Sequence, residues 1–309
     1  MNSLQFELWR ECNNLCKMCF LGIENRITPK EIKIQSLKDA IRDSIKFEGD
    51  VIAAIGGEFF QGQIEDLEVH DLFYEFIQLI INKLNTEEIK SVWITATLTD
   101  KTPKDLIEFV SFIKNSWNGK GTFFICTSYD TIGRFHTEEK RLNWEQNMFL
   151  IKNMDSRIRL NTSMILTNDL INKYLNDEIA FIDFTAKYDT GLIIKHPNAG
   201  PFGDDLKKME AALPGFVPEL KNTIRFFKKL KLKEPFIFHT CLFNVNKRAD
   251  ECVKRYNSGK TYHDHRDKIG INEYIDYDQV LPCGHSTLYR CYKDSDRCMM
   301  CDYLKIRDS

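Results

Sequence analysis

The chain has 309 residues, of which 43% are hydrophobic and 28% charged, with a formal net charge of −2. These values are typical of a globular protein with room for one large domain or two ordinary ones, and the small net charge provides no overall basic field for bulk nucleic acid or an anionic membrane. No signal-peptide pattern opens the chain and no apolar run is long enough to span a membrane, so we expect a cytoplasmic protein with no membrane partner. Its ten cysteines then favour metal or redox chemistry over a disulfide framework.

Strand and helix patterns alternate through the first two hundred residues. Short apolar runs predict strands, and the longer segments between them carry apolar residues at helical spacing. The predicted strands are Leu4–Trp9, Asp50–Ile55, Ser91–Leu98, Gly121–Ser128, Arg157–Leu166 and Gly191–His196. The first predicted helix begins at a capping box, Ser36–Asp39, and the third begins at Thr102 and Pro103. The other predicted helices are Asp66–Asn85, Glu138–Met154, Asn168–Tyr188 and Lys221–Leu232.

Six strand–helix units in succession predict a parallel sheet with right-handed crossovers. Six units are too few for the closed eight-fold barrel. The predicted fold class is therefore α/β, a partial (β/α)6 TIM-like barrel with a cysteine-rich C-terminal extension. We place the barrel at residues 1–200 and the extension at residues 201–309.

Three cysteines lie in the segment that directly follows the first predicted strand. Cys12, Cys16 and Cys19 have C-x3-C-x2-C spacing within Glu11–Phe20, the segment called the cysteine loop below. Three thiolates this close can bind one metal centre. A structural zinc site requires four ligands and a cubane iron–sulfur cluster normally four cysteines, so three cysteines on a cubane leave one iron open to a small molecule. Half of a zinc site, or buried thiols without metal, are the alternatives.

A second motif, Gly56-Gly57-Glu58, follows the second predicted strand and is called the Gly-Gly-Glu turn below. Ligands of parallel α/β folds bind at the carboxyl ends of the strands, so the turn and the cysteine loop are expected on the same face. Glycines let the backbone approach a ligand closely, and a carboxylate can pair with an ammonium group. The alternative is an ordinary strand-to-helix turn.

Together, the cysteine loop and the Gly-Gly-Glu turn resemble the motifs of the radical S-adenosylmethionine (radical SAM) superfamily. The resemblance implies a 4Fe–4S cluster on the three cysteines, with the open iron chelated by SAM, and electron transfer that cleaves SAM to a 5′-deoxyadenosyl radical. It implies that Gly56, Gly57 and Glu58 bind the amino group of SAM. Met18 replaces the usual aromatic residue before the third cysteine, which leaves Phe20 as the aromatic candidate, and Phe59 replaces the usual proline after the turn.

Further candidate contacts to SAM lie at the ends of later strands. Thr97 is near the end of the third predicted strand, where the family often offers hydroxyls, and Asn161 and Ser163 lie in the fifth. Each is a single polar residue, so ordinary hydrogen bonding within the fold is an equally good interpretation.

The C-terminal extension contains a second candidate metal site, formed by Cys283, Cys291, Cys298 and Cys301. The preceding segment, Asn272–Cys283, alternates like a hairpin and resembles the SPASM and twitch extensions, which hold auxiliary 4Fe–4S clusters in peptide-modifying members. Asp278 stands where those extensions usually have glycine. A second 4Fe–4S cluster is one interpretation; a zinc site of four cysteines, or of three cysteines and His285, is the other.

These features predict a radical SAM enzyme that abstracts hydrogen from its substrate. The resemblance implies a low-potential electron donor of the flavodoxin or ferredoxin type. The extension favours a peptide side chain as substrate, with a nucleotide or nucleic acid as the alternative. An activase that installs a radical on a partner protein and a non-catalytic zinc-binding protein are the rival functions. The Gly-Gly-Glu turn disfavours the last of these, because a structural zinc site needs no ligand-facing turn.

Overall fold

The computed structural model describes residues 3–12, 14, 16–19, 28–60, 66–101, 104–130, 132–135, 137–195 and 206–234. Phe20, the four cysteines of the predicted second metal site and His285 lie outside these ranges, as does the whole segment from residue 235 to residue 309. The chain divides into two compact units, Met1–Ser163 with Tyr188–Gly191, and Met164–Lys187 with Leu192–Ser309.

One six-stranded sheet forms in the described part of the chain, with its strands in sequence order. The strands are β1 (Ser3–Glu7), β2 (Val51–Ile55), β3 (Ser91–Thr95), β4 (Thr122–Tyr129), β5 (Arg159–Ile165) and β6 (Thr190–Lys195). The first four pair in parallel, with Leu4 opposite Ile52, Ile52 opposite Val92 and Val92 opposite Phe123. Parallel strands in sequence order, each joined to the next through helix, confirm the predicted partial (β/α)6 TIM-like barrel.

Eight helices accompany these strands among the described residues. They are α1 (Lys30–Lys46), α2 (Leu67–Asn85), α3 (Lys104–Ser116), α4 (Glu138–Met154), α5 (Asn168–Leu175), α6 (Phe181–Tyr188), α7 (Leu206–Ala212) and α8 (Leu220–Lys233). None of them is long and apolar enough to cross a membrane. The sequence predicted α4 to the residue, whereas α7 was not predicted.

Two of the predicted helices differ from those observed by more than one residue at an end. The capping box at Ser36–Asp39 is wrong, because α1 starts at Lys30 and these residues lie inside the helix. The predicted helix Asn168–Tyr188 is two helices, since Asp177 has a φ of 61° and so leaves the right-handed helical region after α5. The strand β3 is shorter than predicted and ends at Thr95, and beyond it Leu98 also has a positive φ, of 58°.

The first unit has an aromatic cluster under the carboxyl ends of β1 and β2. The ring of Phe59 lies 5.9 Å from that of Trp9, 5.2 Å from that of Phe73 and 5.8 Å from that of Phe109 between centroids. Phe59 is buried, so the side chain that follows the Gly-Gly-Glu turn fills a packed position. Aromatic pairs at such distances stabilise a core beyond the area they bury.

In the second unit, α5, α6 and α8 share a core formed by Tyr174, Phe181 and Phe226. The rings of Tyr174 and Phe181 are stacked at 5.0 Å, and Phe226 meets Tyr174 edge-on at 5.0 Å. The buried carboxylate of Glu234, just after α8, accepts hydrogen bonds from the backbone N–H groups of Phe181 (3.1 Å) and Ile182 (2.9 Å). A carboxylate at the first turn of a helix satisfies donors that have no partner inside the helix.

Candidate functional site

Backbone hydrogen bonds join the Gly-Gly-Glu turn to the start of the cysteine loop. The N–H of Gly57 donates to the carbonyl of Trp9 at 3.0 Å, and the N–H of Glu58 donates to the carbonyl of Glu11 at 2.7 Å. These bonds continue the pairing of β1 with β2 beyond the ends of both strands. The two motifs that carry the family resemblance are therefore in direct contact, on the face where parallel α/β folds bind ligands.

Both glycines are required for this contact between backbone segments. A Cβ atom on Gly56 would lie 2.2 Å from the carbonyl oxygen of Trp9, and Gly56 has a φ of 147° that other residues rarely adopt. A Cβ atom on Gly57 would lie 1.9 Å from the carbonyl oxygen of Glu11. The structure thus gives the glycines a packing role that does not require a ligand, while their contact with SAM stays a prediction.

Glu58 links the carboxyl ends of three neighbouring strands. Its side chain is only 2% exposed and accepts hydrogen bonds from the backbone N–H of Thr97 at 2.7 Å, from the Thr97 hydroxyl and from the N–H of Phe60 at 3.3 Å. Its own carbonyl accepts from the indole N–H of Trp9 at 2.9 Å. The site therefore brings Glu58 and Thr97 together as partners of each other.

Burial raises the pKa of Glu58 above its ordinary value of 4.5, and the hydrogen bonds from Thr97 oppose this shift only in part. A raised pKa means that the folded chain holds the proton of this carboxyl more tightly than the unfolded chain does. When Glu58 is protonated, the Thr97 hydroxyl can accept from it and donate to the hydroxyl of Thr99, 3.2 Å away. The carboxyl is therefore provided with hydrogen-bond partners in both protonation states.

The loop after β3 is held in place by two amides of α4. Asn147 Nδ2 donates to the carbonyls of Leu98 and Asp100, both at 3.0 Å, and Asn143 Nδ2 donates to the carbonyl of Thr99 at 3.2 Å. These bonds flank Leu98, whose positive φ is unfavourable for a residue with a side chain. The amides thereby fix a strained loop that carries Thr97 and Thr99.

Several contacts position the cysteine loop around its sulfurs. Lys33 of α1 forms an ion pair with Glu11, and the N–H of Cys19 donates to the carbonyl of Cys16 at 3.1 Å. Met18 is buried against the loop after β4, since a Cβ atom on Gly133 would lie 2.3 Å from its sulfur. Met18 therefore packs within the protein.

Cys12 and Cys19 are partly exposed, Cys16 is buried, and none of them forms a disulfide. Within the described ranges, which include all three cysteines, no three His, Cys, Asp or Glu side chains are grouped closely enough to hold a metal ion. In donor type and number, three cysteine thiols outside any disulfide, on one loop at the strand ends, fit a 4Fe–4S cluster with one open iron. Their role as metal ligands stays a prediction.

Asn161 and Ser163 lie on the partly exposed face of β5, which alternates with the buried Leu160, Thr162 and Met164. Among the described residues, neither forms a hydrogen bond with Glu58 or Thr97. A Cβ atom on Gly191 would lie 2.2 Å from the amide oxygen of Asn161. The structure thus joins Thr97 to Glu58 but does not join the two β5 residues to them.

Several residues that form hydrogen bonds in the candidate site were not identified from the sequence. The indole of Trp9, the amides of Asn143 and Asn147, and the pair Asn14 and Lys140 all take part in its hydrogen bonds. All of these residue types are common in strands, helices and loops. No motif or spacing in a single sequence could have identified their roles.

No protein-family model and no curated protein matches this chain. A solved structure of native anSMEcpe with bound AdoMet and Kp18Cys peptide is similar in fold, with a TM-score of 0.51 and 15% sequence identity. The match covers 84% of this chain and 62% of that one, so the chain spans less than two thirds of that protein's length. The comparison shows a shared fold.

Gly57→Ala should destabilise the site much more than Gly133→Ala. The new methyl group at position 57 meets backbone oxygens of Glu11 and Arg10 at 1.9 Å and 2.6 Å, which can move only if the two motifs separate. At position 133 it meets mainly the flexible thioether of Met18. We expect a loss of at least about 2 kcal/mol in the free energy of unfolding for the first variant and less than about 1 kcal/mol for the second. Urea denaturation of the metal-free, reduced protein measures both, and equal small losses would contradict the proposed packing role.

Proposed function

We propose that this chain is a radical SAM enzyme, with a 4Fe–4S cluster on Cys12, Cys16 and Cys19 and with SAM bound beside the Gly-Gly-Glu turn. The observation that carries the proposal is the direct hydrogen bonding between that turn and the residues just before Cys12. The two motifs are separated by more than thirty residues of sequence, yet they meet at the ligand-binding end of a parallel sheet.

The fold comparison supports the same proposal. The similar structure contains bound AdoMet, which is SAM, and this chain has its two SAM-related motifs at the strand ends of a fold of that kind. The bound cluster would supply the electron that breaks the bond between sulfur and C5′ of SAM. SAM would supply the 5′-deoxyadenosyl radical that takes a hydrogen atom from the substrate. The electron would come from a flavodoxin or ferredoxin type of donor.

The residues of this chain would bind and orient these groups. The thiolates of the three cysteines would hold three irons. The Glu58 carboxylate would pair with the ammonium of SAM. The N–H donors of Thr97 and Phe60 fix the orientation of that carboxylate, so a ligand does not have to order it on binding.

A peptide or protein side chain is the substrate class that we favour, since the similar structure also contains the Kp18Cys peptide. The proposed extension, residues 201–309, would carry the second metal centre on Cys283, Cys291, Cys298 and Cys301. An auxiliary 4Fe–4S cluster agrees with a peptide substrate, because the SPASM and twitch extensions that the segment resembles occur in peptide-modifying enzymes.

Replacement of one cysteine tests the proposed cluster. Cys16→Ala should abolish formation of 5′-deoxyadenosine from SAM under reducing, oxygen-free conditions, because a cubane with two protein ligands is not held. The variant should contain about four fewer irons per chain than the wild type. Cys126→Ala is the matched control, since Cys126 lies within β4 and is not a predicted ligand. Iron, zinc and 5′-deoxyadenosine are measured on all three proteins after anaerobic reconstitution.

Each result of this experiment has a definite meaning. Production of 5′-deoxyadenosine by the Cys16→Ala variant would contradict the assignment of the cluster. Zinc without iron in the wild type would overturn the enzyme proposal and favour a zinc-binding protein. About four irons with one zinc would retain the enzyme and assign zinc to the extension, whereas about eight irons would indicate two cubanes.

The raised pKa of Glu58 predicts that SAM binding is coupled to pH. An ammonium group requires the ionised carboxylate, so binding to the protonated form must release the proton, and affinity should rise as the pH increases through the raised pKa of Glu58. In Glu58→Gln this dependence should be absent, and affinity at neutral pH should fall about ten- to hundred-fold, as expected for the loss of a hydrogen bond to a charged group.

Calorimetric titration of the reconstituted protein with SAM, in buffers of different ionisation enthalpy, measures both affinity and proton release. Glu75→Gln is the control, because Glu75 is an exposed carboxylate of α2. Equal affinities of the Glu58→Gln variant and the wild type at every pH would show that Glu58 serves only to hold the loop after β3.

A further inference from the structure

A side chain with no exposed surface connects the cysteine loop to α4. Asn14 is 0% exposed. Its Nδ2 donates to the sulfur of Cys16 at 3.3 Å, and its Oδ1 accepts from the ammonium of Lys140 at 2.5 Å. The amide of Asn14 therefore lies between a predicted cluster ligand and a cation from an element 126 residues further along the chain.

The chemistry of the two neighbours fixes the orientation of this amide. A lysine ammonium can only donate hydrogen bonds, so it must face the amide oxygen. The NH2 group of Asn14 then faces Cys16, where it can donate to sulfur. Because the amide oxygen has no formal charge, the contact leaves the positive charge of Lys140 in place near the sulfur.

The position of Lys140 in α4 is unfavourable for the helix itself. It is the third residue of α4, and the N-cap Thr137 accepts a hydrogen bond from its backbone N–H at 3.3 Å. Cations at a helix N-terminus are destabilising, because the helix dipole is positive there. Helix stability therefore does not account for a lysine here, whereas its ammonium group does donate a hydrogen bond to the buried Asn14.

We propose that Asn14 and Lys140 are positioning residues that raise the reduction potential of the cluster bound at Cys16. This inference rests on the proposed function. Reduction adds one electron to the cluster and makes it more negative, without forming or breaking a bond. An N–H donor to the cysteine sulfur and a nearby positive charge both stabilise the more negative state. The pair therefore favours electron transfer from the external donor to the cluster.

Removal of the charge tests the proposal. Lys140→Met should lower the midpoint potential, such that the ratio of reduced to oxidised cluster at a fixed solution potential falls about tenfold, which corresponds to about 59 mV for a one-electron couple. Lys140→Arg keeps the charge and should restore most of the potential. The measurement is an anaerobic redox titration followed by electron paramagnetic resonance, on the signal that disappears in Cys16→Ala.

A matched control removes a lysine at the start of another helix. Lys104 is the exposed first residue of α3, and Lys104→Met should leave the midpoint potential unchanged. An unchanged potential in Lys140→Met, with the cluster content of the wild type, would overturn this inference and leave the proposed function intact. Failure of the wild type to assemble a cluster would overturn the proposed function, and this inference with it.

Discussion

The candidate site depends on the burial of one acidic residue between three strand ends. Glu58 uses its backbone N–H to bind the segment after β1 and its carboxylate to bind the segment after β3. These strands are neighbours in the sheet, but strand pairing alone does not determine the conformation of the segments beyond their ends. The contacts of Glu58 do so, and the glycines before it permit the close approach that these contacts require.

Burying this carboxyl has an electrostatic cost that the protein does not fully offset. The hydrogen bonds from Thr97 stabilise the charged form, yet burial dominates and the pKa of Glu58 remains raised. A cationic ligand would supply the missing compensation, because a positive charge nearby lowers the pKa of a carboxyl. In the proposed enzyme, the burial that makes the charged form of Glu58 unfavourable would favour a positively charged ligand over a neutral one.

Much of the fold could be predicted from the sequence, because strands and helices with one buried face repeat their apolar residues at regular intervals. The bounds of α4 followed from such local patterns, and the position of the two motifs on one face followed from the strand-end rule, but their direct contact was not predicted. The capping box at Ser36–Asp39 failed because the same residue types also occur inside a helix, here α1. The break at Asp177 depends on a single backbone conformation, which residue type alone does not determine.

The contacts around the cysteine loop could not be predicted from the sequence. Lys33 holds Glu11, and Lys140 reaches Cys16 through Asn14. Lys33 comes from α1, the first helix after the loop, and Lys140 comes from α4, 126 residues beyond Asn14, so these contacts depend on the tertiary fold. Each contact removes conformational freedom from the loop, so the rest of the fold orders part of this segment. In the proposed enzyme, such residues would influence the cluster without contacting the metal.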